Sequence, residues 1–194
     1  DAIVVEGPKA GGHLGFKKEQ LQDQNYALDV LIPEVVAIAA SYKEQKHIPV
    51  IAAGGISTGE DIAHFMELGA SGVQMGSIFV TTLECDASET FKEVYIHSKS
   101  EDVLIIESPV GMPGRAILNP FLQQIKEGVR PAIKSCFQCL EHCDIRTIPY
   151  CITQALVNAA EGDENNALLF CGSNAYRAEK IEKVDDVMKE LVGE

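Results

Sequence analysis

The sequence predicts an α/β fold, assembled from βα units around a parallel sheet and followed by a helical tail. Three observations carry this. The runs Ile3–Val5, Val50–Ala53 and Gly72–Met75 read as short apolar strands, apolar on both faces, as expected of parallel strands covered on both sides. Each run leads into glycine: Gly7, Gly54-Gly55 and Gly76. Helical patterns lie between the runs, so strand and helix alternate.

The elements follow in order. Pro33 reads as the first residue of a helix over Pro33–Ala40. Ser57-Thr58-Gly59-Glu60 has capping-box spacing ahead of Ile62, Phe65 and Met66, and Gly69 stops that helix. Asp86-Ala87-Ser88-Glu89 repeats the spacing ahead of Phe91, Val94 and Tyr95. Residues 100–133 then break the alternation. Pro109, Gly111, Pro113, Gly114 and Pro120 predict an ordered but irregular loop there. Ile152–Ala160, closed by Gly162, and Val184–Val192 read as helices. The division expected is residues 1–133 as the sheet-bearing part and 134–194 as a Cys-containing helical appendage. The chain opens without Met inside an apolar run, which predicts a piece of a longer protein.

Composition narrows the function. With 194 residues, 46% apolar and 23% charged, the chain has the make-up of one globular domain with an appendage. Lys and Arg number 16 against 29 Asp and Glu, a formal charge of −13. That excess repels phosphate backbones and anionic lipid, so neither a nucleic acid nor a membrane surface is expected as partner. No apolar run approaches the roughly 18 residues of a membrane span, and no basic segment followed by an apolar one opens the chain. Six Cys in an acidic chain of this size fit reduced thiols in a cytoplasmic protein.

Two kinds of motif carry chemistry. Directly after the first strand comes Glu6-Gly7-Pro8-Lys9-Ala10-Gly11-Gly12-His13-Leu14-Gly15. Glycines there let the backbone approach a ligand closely, and His13 stands at the strand's C-terminal mouth. The second kind is the pair Ala53-Gly54-Gly55-Ile56 and Met75-Gly76-Ser77-Ile78, two βα loops about 21 residues apart. Free N–H groups and the positive end of a helix dipole make such loops anion sites. A consecutive pair is similar to the phosphate site of (β/α)₈ barrels, formed by the loops after strands seven and eight. No Gly-Lys-Ser/Thr phosphate loop occurs, which argues against a nucleoside triphosphatase.

The runs Glu6–Gly15, Pro49–Ile56, Gly72–Thr82 and Ser108–Ile117 resemble the nitronate monooxygenases, formerly 2-nitropropane dioxygenases. The FMN-dependent enoyl-ACP reductases of the second type share these motifs. The resemblance covers roughly residues 1–125 and implies a (β/α)₈ TIM-barrel fold with FMN at its C-terminal face. The three strands would be the sixth to eighth, so the chain would be the C-terminal part of the barrel plus its appendage. The resemblance further implies that His13 is the catalytic histidine. It places Gly54, Gly55, Gly76 and Ser77 on the FMN phosphate, and Glu6, Gly11 and Gly12 along the flavin. Ser77 stands where Thr is usual and keeps the hydroxyl. Lys9 stands where an acidic residue is frequent. The implied activity is oxidation of an alkyl nitronate with O₂; the alternative is NAD(P)H-dependent reduction of an enoyl thioester. A third reading is a non-catalytic half that needs a complementary N-terminal chain, and a homo-oligomer is also expected as an assembly.

Cys136-x2-Cys139-x3-Cys143-x7-Cys151, with His142 inside it, lies outside these motifs. Cys-x-x-Cys suits zinc or an iron–sulfur cluster. The uneven spacing matches neither a ferredoxin run nor a zinc ribbon, so buried free thiols and no metal are the expectation. Cys85 and Cys171 read as core. His47 and His64 read as surface, and His97 as a complement to a helix dipole. Arg115 reads either as a ligand contact or as a solvated loop residue.

Overall fold

The computed structural model describes residues 1–42, 46–133, 135–141 and 143–193; His142 lies outside them. The expected parallel sheet is present. Strands β1 (Ile3–Glu6), β3 (Val50–Ala53) and β4 (Gly72–Gln74) run parallel in the order β1-β3-β4. The pairings Glu6–Ala53 and Ala53–Gln74 bring the three C-terminal ends level. Helices α1 (Leu28–Ala40) and α2 (Gly59–Glu67) cover one face, burying Val5, Leu28, Ile32, Val50, Ala52 and Phe65. Coverage on both faces was expected, but Val4 on the opposite face is 52% exposed.

Two helix starts differ from expectation. α1 begins five residues before Pro33, which sits inside it. Proline there forfeits one backbone hydrogen bond. Burial of Leu28 and Ile32, one turn apart against the sheet, outweighs that single loss. In α2 the capping box is one residue later than read. Thr58 Oγ1 accepts from Asp61 N at 3.1 Å, and Asp61 Oδ2 accepts from Thr58 N at 3.1 Å and Ser57 N at 2.8 Å. Likewise Ser88, not Asp86, caps α4 (Glu89–His97), its Oγ accepting from Phe91 N at 3.2 Å. Between them α3 (Ser77–Val80) is a single turn.

The larger correction is residues 100–133, which are mostly regular. β5 (Val103–Glu107) and β6 (Pro113–Ile117) form an antiparallel hairpin, joined on the far edge of β6 by the two-residue strand β2 (Gly12–His13). The prolines and glycines punctuate its turn, which Ser108 N→Met112 O (3.1 Å) closes and Gly111 enters at φ +82°. α5 (Pro120–Lys126) follows, capped by Asn119 Oδ1 accepting from Leu122 N at 3.0 Å.

The tail forms α6 (Ile152–Glu161), ended by Gly162 at φ +81°, and α7 (Val184–Val192), both as expected. The segment between them returns to the hairpin. Ile117 N donates to Leu169 O and Cys171 N to Arg115 O, burying Leu168 and Leu169. Cys171 is core, its thiol pushed up to about 12 by burial. Among the described residues no helix is long and apolar enough to cross a membrane.

Candidate functional site

A cavity of about 670 Å³ opens at the C-terminal ends of the parallel strands. Its floor is the level row Glu6, Ala53 and Gln74. Its walls include Gly11, the Gly54-Gly55 turn and Gly76-Ser77. Sequence reasoning named Glu6 and these five wall residues, and the structure gathers them around one space. Gly12 and His13 do not line it; they continue from Gly11 onto β2. His13 is half-buried there, Nε2 lies 2.7 Å from Ser108 Oγ, and Phe170 packs edge-on to the ring at 4.8 Å. Burial lowers the His13 pKa from its ordinary value and raises that of the Glu6 carboxyl.

The glycine loops are held open by their own geometry. Gly54 and Gly55 sit at φ +99° and +81°, the left-handed region that other residues rarely adopt. A Cβ on Gly54 would come within 2.9 Å of Ala10 N, and one on Gly55 within 2.7 Å of Lys9 Cβ. Arg115 is the brace behind this packing. It is buried on β6 rather than solvated or facing a ligand, and its guanidinium donates to the carbonyls of Pro8 (2.9 Å) and Ala10.

Of the expected anion donors, the start of α2 drops out and the glycine loops stay available. The N–H groups of Ser57 and Thr58 at the start of α2 are taken by Asp61, so that helix end is satisfied internally. The amides of Gly55, Gly76 and Ser77 have no acceptor among the described residues. Ser77 Oγ accepts from Gly172 N at 2.8 Å, which leaves its own proton to donate.

The tail supplies what the sequence did not disclose. Gly172, Ser173, Asn174 and Arg177 line the same cavity. Asn174 Nδ2 donates to Gly55 O at 2.8 Å and to Ser57 Oγ at 3.0 Å, fixing the glycine turn. Arg177 Nη1 reaches Ser57 Oγ at 3.1 Å and brings a cation to the wall. Ser173 Oγ is buried with no partner among the described residues. A buried hydroxyl without a partner is costly, and a ligand oxygen in the cavity would relieve it. A Gly-Ser-Asn triplet about 95 residues beyond Gly76 offered no spacing signal for this role.

These observations fit a phosphorylated ligand. Backbone donors, one spare hydroxyl, one orphaned hydroxyl and a cation face a space large enough for a cofactor. A Cβ at Gly76 would meet nothing within 4 Å, so the absence of a side chain there leaves room for close approach.

A family model described as nitronate monooxygenase matches residues 1–194. The chain belongs to the nitronate monooxygenase family. Probable nitronate monooxygenases of Staphylococcus aureus strains Newman and JH9 are 38% identical over 128 residues, 66% of this chain and 34% of theirs. Among solved structures, FabK from Thermotoga maritima superposes with TM-score 0.72 at 27% identity, over all of this chain and 53% of that one. Nitroalkane oxidase from Streptomyces ansochromogenes gives 0.67 at 26%, over all of this chain and 51% of that one. The chain thus spans about a third of its curated relatives and about half of these structures. The α/β fold and the family resemblance read from the glycine motifs both stand on these matches.

Proposed function

We propose that the protein is an FMN-dependent oxidoreductase that oxidises alkyl nitronates with O₂. The observation that carries this is the glycine-walled cavity with its unspent donors, in a chain of the nitronate monooxygenase family. Within this reading, β1, β3 and β4 are the sixth to eighth strands of a (β/α)₈ barrel. The exposed Val4 face supports it, because a barrel's remaining strands would cover that face.

When bound, FMN supplies the electron transfer and the reaction with O₂. The amides of Gly55, Gly76 and Ser77, with the hydroxyls of Ser77 and Ser173, hold its phosphate. Gly54 keeps the turn in shape, and Arg177 balances charge. Glu6 and Gly11 line the flavin, while Gly12 stands beyond the cavity lining on β2. His13 takes a proton from a neutral nitroalkane through its imidazole, which burial keeps unprotonated at neutral pH. Ser108 Oγ orients that ring.

The likeness to FabK supports the second reading, NAD(P)H-dependent enoyl thioester reduction with His13 as proton donor. One experiment separates the two. The full-length protein is purified, its flavin identified after denaturation, and its turnover compared in two assays. O₂ uptake with a nitronate is expected to exceed NAD(P)H oxidation with a crotonyl thioester. The opposite ranking overturns the nitronate reading, and protein without flavin overturns both.

A further inference from the structure

The four clustered cysteines were expected to be buried. The structure instead leaves Cys136 and Cys139 exposed and Cys143 and Cys151 half-buried, all four as free thiols. Burial therefore does not account for them. They line one small gap of about 10 Å³ between the hairpin turn and the start of α6, together with Pro109, Ile145 and Ile148.

Two further features shape this gap. Gln138, in the Cys136–Cys139 turn, takes φ +52°, the one positive φ at a non-glycine among the described residues. The turn aims Gln138 N–H at Cys136 Sγ, 3.4 Å away. Backbone donors to sulfur are what a ligating thiolate needs. On the other side, Arg130 donates to the carbonyls of Ile145 and Ile148 at 2.6 Å each, and to that of Arg146. One guanidinium thus shapes the loop that carries Cys143 toward Cys151. Residues 143–147 contain no helix or strand of their own, the kind of segment that a metal orders. In the side-chain arrangement seen, no three Cys, His, Asp or Glu among the described residues converge on one point. Turning the two exposed thiols inward is a rotamer change, which exposed side chains make freely.

We propose that Cys136, Cys139, Cys143 and Cys151 form a four-thiolate site for a thiophilic metal centre, a zinc ion or an iron–sulfur cluster. Zinc and iron–sulfur centres ask for the same four thiolates. Bound there, the centre fastens the loop to the hairpin turn. Pro109 lines the gap and adjoins Ser108, the partner of His13, so the centre braces the turn behind that histidine. The assignment is independent of the flavin reading.

The test is metal analysis of the full-length protein, purified anaerobically and, in parallel, reconstituted with Zn²⁺ or with Fe²⁺ and sulfide. About one zinc per chain, or iron with matching acid-labile sulfide and its visible absorbance, is expected and tells the two centres apart. Cys139→Ser and Cys143→Ser should lose the metal, and Cys85→Ser should keep it. Neither metal above trace after reconstitution, or full metal in both variants, overturns the proposal. Because the variants could fail to fold, the wild type gives a second readout. Cys136 and Cys139 should resist a thiol reagent until the metal is chelated. Equal labelling before and after chelation overturns the proposal too.

Discussion

A methyl group added at Gly11 would stand 2.7 Å from the Cys171 carbonyl carbon, whereas one added at Gly76 would meet nothing within 4 Å. The two glycines therefore fail differently. Gly76→Val fills open cavity at an unstrained φ of −125°, so the chain folds and the ligand is displaced. Losing one hydrogen bond to a charged phosphate costs about 1.5–3 kcal/mol, roughly ten- to hundredfold in affinity. Flavin content should fall by that order while circular dichroism stays unchanged. Gly11→Ala should lower the unfolding midpoint instead, because the tail backbone must move. His13 gives a prediction in pH. Burial lowers its pKa below about 6.5, so the imidazole is neutral at pH 7. Acid protonates the unfolded chain first, and stability from this group is lost as pH falls below about 6.5. Turnover of a nitroalkane should show an acid limb below the same pH. His13→Ala should remove that limb and lower turnover by about 10²–10⁴-fold. A pre-formed nitronate should lose less, since no proton need be removed; equal losses would assign His13 to positioning.

Among the elements, α2 depends on a reciprocal cap, Thr58 with Asp61. Thr58→Ala should cost about 1 kcal/mol, read as a shifted urea midpoint with flavin affinity nearly kept. Ser57→Ala should do the reverse, because Ser57 Oγ takes Asn174 and Arg177 from the cavity wall. The contrast also shows which elements the sequence disclosed. β1, β3 and β4 were readable because each lies in a short, largely apolar run that breaks near glycine, a purely local signal. The β5–β6 hairpin was not. Pro113 and Gly114 sit inside β6, residue types depleted in strands, and their ladder is completed by residues about a hundred positions earlier in β2. Caps were misplaced by a residue or two because Ser57, Thr58, Asp86 and Ser88 all offer an acceptor. Geometry alone chose Thr58 and Ser88. Arg115 was misread for the same non-local cause, since its carbonyl partners lie on the glycine loop and leave no trace in its neighbours.

On the scale of the whole molecule, the tail and the glycine loops are stitched together. Residues 167–174 run from α6 across β6, through Leu169 and Cys171, to Ser173 N on Lys9 O and Asn174 on Gly55 O. Ten of the 25 residues that line the cavity therefore belong to chain that follows the cysteine loop. Leu169, almost fully buried, packs in a cluster with Ala159 and Ala167 of the tail and with Phe91 and Val94 of α4. Leu169→Ala touches no cavity residue, yet it loosens the segment that positions Ser173 and Asn174. Such a buried truncation costs about 2–5 kcal/mol. If tail and loops form one cooperative unit, the full-length variant should release flavin and lose far-UV ellipticity at a single, lowered urea midpoint. A tail that folds by itself would melt first, with flavin retained until a second transition. Two separated midpoints in the variant would therefore divide the molecule near residue 133, and one shared midpoint would make the tail part of the site's own scaffold.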